Sequence, residues 1–214
     1  MAKLKSTNLY LVASQQYCRN KNILEIAKEA VSAEIDILQM REKNLSQKEL
    51  LDLGRALAEL CKRNKVKFIV NDDPDLAKTL NADGVHLGQE DILTFPIKDV
   101  RTILGQEKII GLSTHSIEQV KTANSFDLDY IGFGPIFSTK AKSYTIGTDE
   151  IEQALKISKV PVIIIGGITT ANIRQVLDKG ATNIAVIREI VQANDVKEKV
   201  VQLKKIIKGQ KNEN

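Results

Sequence analysis

Cysteine is scarce in this chain. The only two, Cys18 and Cys61, have neither metal-site spacing nor the pattern of a disulfide framework, so a reducing, cytoplasmic setting is expected. Long apolar runs are missing as well. The strongest, residues 160–165, contains Pro161 and falls far short of the roughly 20 residues that span a bilayer. The basic opening Met1-Ala2-Lys3-Leu4-Lys5 is followed by no apolar segment or small-residue cleavage site, so a secretory leader is not expected. Neither sign of charge is in large surplus: 31 basic against 27 acidic residues leave +4, too little to point to nucleic acid. No Pro/Ser-rich linker or block of charge divides the chain, which argues for one domain. No Cys/His pair or Ser/His/Asp set stands out, so chemistry through a covalent nucleophile is not expected.

What is present is an alternation of short β-branched runs with longer stretches of helical period, the pattern of βα units on a parallel sheet. The strand candidates are residues 9–12, 37–40, 67–70, 84–87, 109–112, 130–133, 162–165 and 184–187. Between them apolar residues recur at helical spacing, as at Leu50, Leu53, Leu57 and Leu60, or Val196, Val200, Leu203 and Ile207, so each helix buries one stripe. Ser46 with Glu49 and Ser116 with Gln119 have the spacing of helix N-caps, and Gly180 after Lys179 that of a helix stop. An open doubly wound sheet would carry a glycine-rich loop after its first strand, and Leu11-Val12-Ala13-Ser14 has no glycine. The expected fold is therefore α/β, a closed (β/α)8 barrel, which removes both sheet edges and gathers the strand ends on one face. With 43% hydrophobic residues, 214 residues suffice for one such barrel. It is expected over 1–207, with 208–214 as a frayed tail.

In such a barrel chemistry sits at the C-terminal ends of the strands. There the sequence reads Gln39-Met40-Arg41-Glu42-Lys43, Asn71-Asp72-Asp73, His86-Leu87-Gly88-Gln89-Glu90-Asp91, Gly111-Leu112-Ser113-Thr114-His115, Ser138-Thr139-Lys140-Ala141-Lys142 and Gly166-Gly167-Ile168. Arg41, Lys43 and Lys142 suit a phosphate approached from several strands, the guanidinium as a fork and the ammonium groups as point charges. Carboxylates beside them would repel that phosphate unless a divalent cation stood between. Mg2+ typically takes one or two carboxylates plus phosphate oxygens, and Asp72 and Asp91 are the expected ligands. Gly166-Gly167, leading into Thr169-Thr170, suits a second phosphate held by backbone N–H groups. The set points to displacement of a diphosphate. Each residue alone has a plainer reading: Arg41 and Lys43 as a solvated loop, Asp72-Asp73-Pro74 as a helix cap, Gly166-Gly167 as a turn. Their recurrence at successive strand ends favours a site.

Together with Asp83-Gly84-Val85 and Gly132-Phe133-Gly134-Pro135-Ile136-Phe137, these segments resemble the thiamine-phosphate synthase family, in order and through nearly the whole chain. The resemblance implies a transferase that joins hydroxymethylpyrimidine diphosphate to thiazole phosphate, giving thiamine phosphate and pyrophosphate with Mg2+. It implies small phosphorylated substrates and no nucleic-acid or membrane partner, and leaves homo-oligomerisation open. By position, Gln39 orients the pyrimidine; Arg41, Lys43, Asn71 and Lys142 hold the diphosphate; Asp72 and Asp91 hold the metal. Ser113 donates to the diphosphate, and Thr139 with the amide of Gly167 receives the thiazole phosphate, beside Ile187 and Arg188. The implied mechanism is dissociative, with the diphosphate leaving before the thiazole nitrogen attacks. Two departures fall on the thiazole-phosphate side. Ala141 stands where the family has a second threonine, and Ile187-Arg188-Glu189-Ile190 where it reads valine-serine-alanine-isoleucine. Arg188 either adds charge there or obstructs the pocket. The competing readings are a thiazole tautomerase, whose branch has a functional histidine near His115, and a phosphate-binding barrel without turnover. His86 is expected as a supporting residue on its strand.

Overall fold

The computed structural model describes residues 4, 9–19, 21–139 and 143–209. Strands β1 (Leu9–Ala13), β2 (Ile37–Met40), β3 (Lys67–Asn71), β4 (Gly84–Leu87), β5 (Ile109–Thr114), β6 (Tyr130–Phe133), β7 (Val162–Ile165) and β8 (Ile184–Val186) pair in parallel and in chain order, and β8 closes onto β1. This is the (β/α)8 barrel that the alternating pattern implies. Strand ends shift for local reasons. Ser113 and Thr114 still pair with Gly132 and Phe133, which extends β5 past residue 112. Ile187, at φ −118° and ψ −84°, already starts the next helix, so β8 ends at Val186.

Helices α1 (Ile23–Ser32), α2 (Gln47–Asn64), α3 (Pro74–Thr79), α4 (Asp91–Thr94), α5 (Ile97–Leu104), α6 (Ile117–Ala123), α7 (Ile151–Ile157), α8 (Ile173–Leu177), α9 (Arg188–Val191) and α10 (Val196–Gly209) surround the barrel. The α2 cap is reciprocal: Ser46 Oγ accepts from Glu49 N–H at 3.4 Å and Glu49 Oε2 accepts from Ser46 N–H at 2.8 Å. At α6, Ser116 accepts from Gln119 N–H while the Gln119 side chain accepts from His115 N–H at 2.7 Å. Helix α8 ends at Leu177, earlier than the glycine signal implies. Gly180, at φ 85°, then returns its N–H to the Leu177 carbonyl at 2.8 Å. None of the described helices is long and apolar enough to cross a membrane.

Strand alternation separates two apolar layers. Leu9, Leu11, Leu38, Val85, Ile110, Ile131 and Ile164 face the helices. Tyr10, Val12, Ile37, Ile69, Ile109, Tyr130, Ile163 and Ala185 fill the barrel. Each fully buried Leu or Ile contributes about 1.5–3 kcal/mol. The outer layer is much the larger, so it supplies most of the stability, and the inner layer can give positions to polar groups near the strand ends. At the strand-entry end, Arg101 is 5% exposed. Its guanidinium donates to Asp127 Oδ2 at 2.8 Å, Asp129 Oδ2 at 2.9 Å and the Lys108 carbonyl at 2.6 Å. A buried charge satisfied this fully ties the turns before β5 and β6 together.

Candidate active site

A cavity of about 1190 Å³ lies at the C-terminal ends of the strands. Gln39, Arg41, Lys43, Asn71, Asp72, Asp91, Ser113, Thr139, Gly167, Ile187 and Arg188 all line it. Lys142, expected at the same mouth, lies outside the described residues, as does Ala141.

The acidic side is built by a sharp turn after β3. Asp73 is the N-cap of α3, accepting Leu76 N–H at 2.8 Å ahead of Pro74. The helix-cap reading of this segment therefore belongs to Asp73. Asp72 adopts φ 67°, a left-handed conformation that an ordinary side chain seldom takes, and joins the cavity wall. Its carboxyl is hydrogen-bonded to that of Asp91 and is pushed up to about 6, first by burial and then by Asp91, against the pull of Lys43 and Arg41. Asp91 Oδ2 is itself fixed by the Gly88 N–H at 2.6 Å, and Lys43 Nζ lies 3.7 Å from Asp72 Oδ2. Two carboxylates in contact, offering hard oxygens at one point, fit a small divalent cation. Among the described residues no cluster of three or more His, Cys, Asp or Glu is placed to hold a metal. The remaining ligands of such a cation would therefore be water or phosphate oxygens.

Across the barrel interior runs a chain of side-chain hydrogen bonds. Gln39 Nε2 donates to the Tyr10 hydroxyl at 2.7 Å, which lies 2.9 Å from the Tyr130 hydroxyl. Tyr130 Oη is 2.9 Å from His86 Nδ1, and His86 Nε2 is 2.9 Å from Ser113 Oγ. Gln39, Tyr10 and Tyr130 are all buried. Gly111 leaves room for the Tyr130 ring, because a Cβ there would sit 2.1 Å from its Cζ. Burial lowers His86 to about 4, so its ring is neutral at physiological pH, and burial raises both tyrosine hydroxyls. Sequence reasoning gave Tyr10 and Tyr130 no role and made His86 only a supporting residue. A signal was available: both tyrosines fall at inward positions of their strands, where a hydroxyl needs a partner.

The opposite wall is shaped by the loops after β7 and β8. Gly166 (φ 107°) and Gly167 (φ 65°) pass close under the β6 loop. Arg188 lies with its guanidinium carbon 5.3 Å from the centroid of the Tyr17 ring, a cation–π contact that holds it at the rim. Glu189 does not offset that charge directly, because its Oε1 accepts from Thr170 N–H and Oγ1–H and pairs with Lys199 at 3.0 Å. His115 Nδ1 donates to the Gly134 carbonyl at 2.5 Å, and its ring meets Tyr144 edge-on.

Residues 9–190 match the family described as thiamine monophosphate synthase. Thiamine-phosphate synthase of Halalkalibacterium halodurans is 40% identical over 197 residues, covering 91% of this chain and 92% of that protein. Thiamine-phosphate synthase of Persephonella marina is 38% identical over 204 residues, covering 94% and 96%. A solved thiamine phosphate pyrophosphorylase from Pyrococcus furiosus superposes with a TM-score of 0.86 at 33% identity, covering 96% of this chain and 97% of that one.

Proposed function

The chain belongs to the thiamine monophosphate synthase family and is a transferase joining hydroxymethylpyrimidine diphosphate to thiazole phosphate, giving thiamine phosphate and pyrophosphate; from that premise we propose how its own residues carry the reaction. Gln39, anchored on Tyr10, orients the pyrimidine. Arg41, Lys43, Asn71 and Ser113, all of which line the cavity, bind the diphosphate, and Lys142 joins them. The bond from the pyrimidine methylene carbon to the diphosphate oxygen breaks with both electrons leaving on oxygen. The lone pair of the thiazole nitrogen then forms the new carbon–nitrogen bond. Arg41 and Lys43 take up charge as it develops on the departing oxygen, and the cavity walls hold the two reactants in line.

Asp72 and Asp91 would hold Mg2+, which when bound screens the charge of the diphosphate. One observation carries this reading: the Asp72–Asp91 contact lies beside Lys43 in the cavity that also contains Arg41. An anion accompanied by a divalent cation satisfies both charge signs. Isomerisation of a thiazole has no use for the carboxylate pair, and the relatives are synthases. The unpaired thiols of Cys18 and Cys61 support a reducing, cytoplasmic setting. Purified protein given both substrates is expected to form thiamine phosphate with Mg2+ and not after chelation. Metal-independent isomerisation without condensation would overturn the assignment.

The thiazole phosphate is received by Thr139 and the Gly167 amide, with Ile187 shaping the wall and Arg188 replacing a neutral contact by a charged one. Arg188→Ala is expected to raise KM for thiazole phosphate about tenfold, the size of one charge-assisted hydrogen bond, and to leave KM for the diphosphate unchanged. Separate saturation curves for the two substrates check this. A lowered KM for thiazole phosphate would show that Arg188 obstructs the pocket.

A further inference from the structure

We propose that Gln39, Tyr10, Tyr130 and His86 form a one-way hydrogen-bond relay that turns the Ser113 hydroxyl proton toward the cavity. The proposal rests on the reading that Ser113 donates to the diphosphate. The four contacts of the relay are 2.7, 2.9, 2.9 and 2.9 Å. They join β2, β1, β6, β4 and β5 in that order.

The direction follows from counting protons. The amide nitrogen of Gln39 can only donate, so Tyr10 accepts from it. A phenol has a single proton, and because Tyr10 already accepts from Gln39, that proton is directed to the hydroxyl of Tyr130 at 2.9 Å. Tyr130, having accepted, gives its own proton to His86 Nδ1. A neutral imidazole that accepts at Nδ1 carries its proton on Nε2, so His86 donates to Ser113 Oγ. Ser113 accepts there, and its hydroxyl hydrogen is left for the cavity that the residue lines. The opposite direction would make Ser113 donate to His86 and present only lone pairs to an arriving anion. Gln89 Nε2 donates to the Ser113 carbonyl at 2.5 Å, which fixes the backbone and leaves the hydroxyl as the variable element. Tyr10, Tyr130 and His86 are thus positioning residues acting through Ser113.

The chain has two histidines, so nitrogen NMR of the 15N-labelled protein reads both tautomers, with His115→Gln assigning the signals. His86 is expected with a bare Nδ1 and a protonated Nε2. His115 should be the reverse, because its Nδ1 donates to a carbonyl. A protonated Nδ1 on His86 overturns the relay, and this wild-type result stands even if a variant fails to fold. Kinetically, Tyr130→Phe is expected to lower kcat about tenfold with KM for the diphosphate little changed. In a Ser113→Ala background the same substitution should have no further effect; independent losses in the double variant refute action through Ser113. An unaltered kcat in Ser113→Ala removes the donor role itself, whereas the spectrum alone decides the direction of the relay.

Discussion

Asp72→Asn is expected to slow condensation by about 10³-fold or more while making the metal-free protein more stable, by about 1 kcal/mol at pH 7. The two effects share one cause. Asp72 is raised from 3.8 to about 6 by burial and by its contact with Asp91, so the ionised carboxylate is a net cost to the fold when no cation balances it. In full that rise amounts to about 3 kcal/mol. The side chain is 35% exposed, and screening reduces the figure to about 1 kcal/mol. Because the folded-state value is raised, the wild type keeps its full stability below the unfolded value of 3.8 and loses it as pH climbs through about 6. The advantage of the asparagine variant should therefore grow across that window and level off above it. Asparagine also tolerates the left-handed backbone at this position. Added Mg2+ should stabilise the wild type alone, more strongly as pH rises through about 6, because binding must displace the carboxyl proton. Turnover assays and thermal melts with and without Mg2+ check these points. Turnover within tenfold of wild type would remove Asp72 from the metal site.

Gly166→Ala is the second substitution with a large expected effect, a loss of about 3–5 kcal/mol and a fall in Tm on the order of 10 °C. The backbone there sits at φ 107°, and a Cβ would come within 2.4 Å of Pro135 Cα and 2.8 Å of Ile136 N. Neither neighbour can withdraw easily, because Ile136 N–H donates to the Ile165 carbonyl at 3.0 Å and Phe137 N–H to the Gly166 carbonyl at 2.9 Å. Gly180→Ala is the matched control. It also has positive φ, 85°, yet its nearest neighbour would be Leu155 Cδ1 at 3.7 Å. Only the backbone term of about 1 kcal/mol should then appear. Denaturant melts of the two variants separate close approach from conformational preference, and equal losses would contradict the steric account.

The barrel is legible in the sequence because buried parallel strands read as β-branched runs and the turns between them carry their own punctuation. Ser46 and Ser116 form caps with the spacing the sequence shows. The strand-end rule also brings residues as distant as Gln39 and Arg188 to one cavity. Two things resist a linear reading. The split between Asp73 as cap and Asp72 as cavity residue depends on one backbone angle, which neighbouring aspartates do not reveal. The Gln39–Tyr10–Tyr130–His86–Ser113 chain spans separations of 29, 120, 44 and 27 residues. Such contacts become visible only when the inward face of each strand is known.

The Arg101 clamp bears on how such a protein can change. Its partners Asp127, Asp129 and the Lys108 carbonyl all precede the strands, a barrel's length from the reacting groups. This tie lies at the pole opposite the chemistry, so changes in the exit segments can leave it intact. Arg188, which opens α9 directly after β8, lies at that exit pole, and the distant clamp leaves its segment free to diversify.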